Sequence, residues 1–173
     1  MQPTIHDGQV VADPGRDLLK IVVVERHAGS GRRGLGLVQG MGLARGAIAG
    51  TVAHDHHNII AVGADDDSLR TAIDELVRLG GGLVVAEGEA VSASLPLPIG
   101  GLMSAEPIET IRAALDSVAG KARDLGSDLH DPFMAMSFLG LEVIPSLKIT
   151  DLGLVDVEAF RGVSIWVDEG VSA

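Results

Sequence analysis

Residues 58–85, NIIAVGADDDSLRTAIDELVRLGGGLVV, place a strand, a helix and a second strand in one unbroken run. The flanking pieces NIIAVG and LVV are short, β-prone apolar runs bounded by turn residues. Between them Leu69, Ile73, Leu76 and Leu79 recur at helical spacing. Aspartates crowd the start of that segment, where the positive end of the helix dipole favours them, and Gly80 supplies the stop.

Working outward, LLKIVVVERH (18–27) is a β-branched run apolar enough for a strand buried on both faces. LGLVQGMGLARG (35–46) has glycines at 36, 40, 42 and 46. Each would cost about 1 kcal/mol in a helix interior, so the segment is expected to be a strand and a tight turn. AIAGTVA (47–53) predicts another strand. Downstream, residues 83–101 predict a hairpin turning near Glu87-Gly88 and ending at the prolines. A second helix follows, with Ser104 as N-cap, Pro107 in the first turn, and Ile108, Ile111, Leu115, Val118, Ala122 and Leu125 as its apolar face. Gly126 ends it, and a final strand is expected around VSIWVDE (163–169). With no repeat, low-complexity tract or linker, residues 1–173 are expected to form one compact α/β domain, a mixed β-sheet with at least two covering helices.

The composition suits a single core. The chain has 173 residues, 46% of them hydrophobic, and Phe133, Phe138, Phe160 and Trp166 are all of its aromatics. A formal charge of −11 argues against nucleic acid and against an anionic membrane surface, both of which need surplus Lys and Arg. No run approaches the ~18 apolar residues of a membrane span, and no secretory leader pattern opens the chain. Cysteine is absent, which removes disulfides, thiolate ligands and cysteine nucleophiles. The expectation is a soluble, cytoplasmic protein.

The densest chemistry is AHDHHN (53–58), where His54, Asp55, His56 and His57 are consecutive. Imidazole and carboxylate are the ligands divalent transition metals take when thiolate is missing. In an extended segment His54 and His56 would share one side, Asp55 and His57 the other. A third ligand would come from Glu25, His27, His130 or Asp131. The competing reading is a turn whose histidines bond the backbone and Asp55. ERH (25–27) ends a strand, a common place for site residues in α/β folds, although Glu25 and Arg26 would equally suit a structural ion pair. Asp131, ahead of Pro132, is expected to cap a helix. Gly29, Gly31 and Gly34 copy the G-x-G-x-x-G spacing of a dinucleotide loop, but GLGLVQGMG after them is too glycine-rich to be the required helix. No G-x-S-x-G elbow, Walker loop or H-E-x-x-H helix occurs.

These segments resemble the C-terminal domain of bacterial and archaeal adenine deaminases, enzymes of the amidohydrolase superfamily. The matching strings are residues 22–63, LGGGLVV (79–85), LPLPIGGLMS (95–104) and residues 129–156, so the likeness runs from about residue 19 to 157. The family pattern has AHDSHN where this chain has AHDHHN, which makes His56 a departure and leaves His54, Asp55, His57 and Asn58 as matches. The resemblance implies a parent activity, hydrolysis of adenine to hypoxanthine and ammonia. In the family that reaction sits in a metal-bearing barrel ahead of this domain, which these residues are too few to include.

Three readings follow. The first is a deaminase C-terminal domain, inactive alone, whose partners are an amidohydrolase barrel and further copies of itself in a homo-oligomer. The second is a stand-alone metal-dependent hydrolase of adenine or a related purine. Its ligands would come from His54, His57, His27 and His130 around Mn, Fe or Zn, with Asp55 or Glu25 as catalytic base and Arg26 and Asn58 binding substrate. The third is a non-catalytic binding or oligomerisation module.

Overall fold

Alternation along the strands decides the architecture. The computed structural model describes residues 2–166. In chain order these form β1 (Thr4–His6), β2 (Gln9–Val11), β3 (Leu19–Val24), β4 (Arg33–Val38), β5 (Ala47–Gly50) and β6 (Ile59–Gly63). Next come α1 (Asp66–Leu79), β7 (Gly82–Glu87), β8 (Ala90–Pro96), α2 (Ile108–Asp124) and α3 (Pro132–Ser137). The last strands are β9 (Leu147–Thr150), β10 (Gly153–Asp156) and β11 (Arg161–Val163).

A six-stranded sheet in the order β4-β3-β6-β5-β7-β8 is the frame. Ile60 and Val62 of β6 belong to one apolar cluster and Ile59 and Ala61 to the other. Leu83 and Val85 of β7 divide from Val84 and Ala86 in the same way. Successive side chains point to opposite faces, so a strand buried on both sides reads as a continuous apolar run. On one face α1 lays Leu69, Ala72 and Leu76 over the small side chains Ala47, Ala49, Ala61 and Ala86. On the other, Val118 and Ala122 of α2, Phe133 and Met136 of α3, and Ile149 of β9 complete the larger core.

The α/β domain, a sheet with covering helices, is as expected. Its neighbouring strands, however, are antiparallel throughout, where a mixed sheet was expected. The parallel relation is one strand removed: β6 and β7 each run antiparallel to β5 between them, and α1 crosses from one to the other. α1 begins where Asp65 accepts the Ser68 N–H at 2.7 Å and ends at Gly80 with φ 75°. The hairpin of β7 and β8 forms at Glu87 as expected.

Two boundaries differ. α2 has Pro107 at its N-cap, and Ser104 instead accepts the Glu106 N–H at 3.2 Å. Only the later part of its apolar stripe is covered: Val118, Ala122 and Leu125 are buried while Ile108 is 71% exposed. The last strand is Arg161–Val163, and residues 167–169 of the expected strand lie outside the described residues.

A small sheet, β11-β10-β9, packs on edge strand β4. Gly34 and Gly36 make that approach possible, since a Cβ on Gly34 would stand 1.9 Å from the Thr150 carbonyl oxygen. Gly34 is therefore a packing glycine within a strand, and no helix opens there to receive a dinucleotide. Among the described residues no helix is long and apolar enough to cross a membrane.

Candidate functional site

The register Val24↔Ile59 brings the end of β3 beside the start of β6. Glu25, Arg26, His27 and the 51–58 loop therefore meet at one end of the sheet, with the glycines that begin β7 nearby.

Glu25 is buried and saturated. Its carboxylate accepts the N–H of His27 at 2.5 Å, Ala28 at 2.7 Å and Ser30 at 3.0 Å, and the Ser30 hydroxyl at 2.7 Å. Those bonds, led by the Ser30 and Ala28 N–H groups, hold its pKa down at about 2. Those oxygens hold the 27–30 turn, whereas the general base expected of Glu25 needs them free to take a proton. Nor does Glu25 pair with Arg26. The Arg26 guanidinium donates from Nε to the His57 carbonyl at 2.5 Å and from Nη2 to the Gly100 carbonyl at 2.6 Å. Partial burial lowers its pKa from the ordinary arginine value.

Residues 54–56 form a turn, closed by the His57 N–H donating to the Ala53 carbonyl at 2.7 Å. His57 lies in the left-handed region at φ 51°. The two-sided alternation expected of an extended segment therefore does not apply. The His54 ring packs on Phe138 at a centroid distance of 5.5 Å and lies 6.2 Å from the ring of His57. The Nδ1 atoms of His54 and His57 are buried without hydrogen-bond partners. His56 turns away to Glu142, with Nε2 2.6 Å from Oε1. His27 Nε2 is 2.7 Å from the His56 carbonyl oxygen, and Asp55 is exposed.

Asn58, buried, accepts the Arg26 N–H at 3.4 Å and donates to Asp151 at 3.3 Å. Asp151 in turn pairs with Arg32 at 2.8 Å. Asn58 thus ties the sheet end to the β9–β10 turn. His130 is exposed ahead of α3, which Asp131 caps as expected by accepting the Met134 N–H at 2.9 Å.

Among the described residues no three His, Asp or Glu side chains converge as metal ligands. The donor set is two neighbouring imidazoles, one ligand short of the three protein ligands a catalytic zinc site uses.

Sequence reasoning missed Thr51, which organises the other half of the site. Its hydroxyl accepts the Gly82 N–H at 2.8 Å and donates to the Gly101 carbonyl at 2.6 Å. A Cβ on Gly101, at φ +76°, would meet Arg26 Nη2 at 2.5 Å, and one on Gly81 would meet the Gly101 Cα at 2.5 Å. The signal was present in the glycine runs 80–82 and 100–101, which mark close backbone approach. Beside this brace lies a cleft of about 250 Å³ lined by Val24, Arg26, Thr51, Ile59, Leu76 and Val77.

Fold and site together define an α/β domain whose polar residues brace loops at one sheet end. Residues 1–161 match the family model described as the adenine deaminase C-terminal domain, and the chain belongs to that family. It is 52% identical to an adenine deaminase of Desulfatibacillum aliphaticivorans over 160 residues, covering 92% of this chain and 28% of that protein. It is 53% identical to the adenine deaminase of Oleidesulfovibrio alaskensis, covering 96% of this chain and 29% of that protein. For the Archaeoglobus fulgidus adenine deaminase the identity is 49%, with 95% and 31% covered. The chain thus spans under a third of the length of these relatives.

Proposed function

We propose that this chain serves as the C-terminal domain of an adenine-deaminating enzyme and has no turnover of its own. Hydrolysis of adenine to hypoxanthine and ammonia is the task of a metal-bearing amidohydrolase barrel, and this domain packs on it in the cytoplasm. One observation carries the reading: Glu25 and Asn58 at the sheet end are engaged in holding loops. Glu25 is saturated by four donors, and Asn58 is tied to Asp151. Family membership supplies the parent reaction.

Ammonia release from adenine tests it. The purified chain, supplied with Mn, Fe or Zn, is expected to show none and to retain no stoichiometric metal. Adding it to an adenine deaminase barrel that lacks its own C-terminal domain is expected to raise that protein's rate. Metal-dependent turnover by the chain alone would overturn the proposal and favour a stand-alone hydrolase built on His54 and His57.

A further inference from the structure

We infer that the cleft beside Arg26 is a binding site for a carboxylate carried on a small apolar body. Its walls are Val24, Ile59, Leu76 and Val77, where the last turn of α1 meets the end of the sheet. Of the polar groups on it, two are already engaged. Thr51 both donates and accepts within the protein, and both Glu25 oxygens are filled by the 27–30 turn.

Arg26 is different. In this acidic chain most cations find a carboxylate, Arg32, Arg45 and Arg78 among them. Arg26 is half-buried, yet no carboxylate lies within ion-pair distance of it among the described residues. Two backbone carbonyls fix its guanidinium through Nε and Nη2, and Nη1 has no hydrogen-bond partner among the described residues. A half-desolvated cation with no ion-pair partner among the described residues calls for an anion, and the free edge of a rigid guanidinium matches a carboxylate.

Charge and size narrow the ligand. A single arginine next to the Glu25 carboxylate favours a monoanion over a doubly charged phosphate. At about 250 Å³ the cleft is smaller than the usual ~300–1,000 Å³ of small-molecule pockets, so the apolar body is of the order of one ring or one branched side chain. The site goes beyond the proposed packing role, and its test does not read deamination.

The probe is benzoate, titrated into the chain at pH 7 while the Arg26 Nε–H resonance is followed by NMR, with benzamide as the neutral isostere. A saturable shift with a Kd on the order of 1 mM is expected for benzoate, with benzamide at least about tenfold weaker. Val77→Glu, at an exposed position, supplies a carboxylate at the cleft and is expected to abolish benzoate binding while the fold is kept. Arg26→Met should do the same, but it also frees the 57 and 100 loops, so the Val77 variant decides. Equal binding of benzamide, no saturable shift, or undiminished benzoate binding by Val77→Glu would overturn the site. The same titration on the full-length Oleidesulfovibrio alaskensis adenine deaminase distinguishes the sources. Exclusion of benzoate there assigns the carboxylate to a side chain of the rest of that protein, and binding assigns it to a free small molecule.

Discussion

Glu25 shows how far a residue's identity is from its role. The carboxylate stands at a strand end, where a general base is reasonable, and nothing in the residues ERH reveals that four donors converge on it. Those donors lower its pKa from 4.5 to about 2, which makes a linkage prediction. A depressed folded-state pKa contributes stability that is full above about 4.5 and is lost as pH falls through about 2. Melting temperature measured from pH 2 to 5 is therefore expected to fall on acidification, with a shallower fall in Glu25→Gln, which also melts lower at pH 7. Identical acid slopes would remove Glu25 from that role. His56 makes a parallel point: the histidine that departs from the family pattern faces Glu142, away from the Arg26 cleft.

At the scale of elements, legibility followed the number of local signals. α1 has an apolar period, an Asp65 cap and a glycine stop, all pointing one way, and it formed where expected. α2 offered a serine at a plausible cap distance, but the proline fixes φ near the helical value and the helix starts after it. β4 shows the opposite case, a strand whose glycines are set by a neighbour 116 residues on in the chain, since Gly34 faces Thr150. Gly34→Ala must push the β9–β10 hairpin off the sheet edge, and overpacking of this kind costs about 1–3 kcal/mol. Gly120→Ala is the contrast: inside α2, with only the tip of Arg123 at 3.9 Å, it should gain about 1 kcal/mol from helix propensity. Urea unfolding of the two variants against the parent checks both signs.

On the scale of the whole molecule, what stands out is what the two cores leave uncovered. Val143, Leu152, Phe160 and Trp166 are each at least 67% exposed, and Ile108 and Leu115 of the α2 stripe are exposed too. Single exposed apolar residues are ordinary, but this many large ones on a 173-residue chain suit a domain that packs against something else. We expect the isolated chain to self-associate, seen as a weight-average mass that rises with concentration in sedimentation equilibrium. A monodisperse monomer at all concentrations would count against both homo-oligomerisation and the packing role.

The sequence by itself determined the α/β class, the main strands, α1, the hairpin and the family, because periodicity, caps and turn residues act within a few positions of one another. It also placed Glu25, Arg26, His57 and Asn58 among the residues of interest. Only the tertiary structure decided the antiparallel order of the sheet, the small sheet riding on Gly34, and the part played by Thr51 and Gly101. It also decided which polar groups were spent and which, at Arg26, were left to bind. The bonds of Arg26, Arg32 and Thr51 join residues 31 to 119 positions apart, and no local pattern records whose hydrogen bonds are already filled.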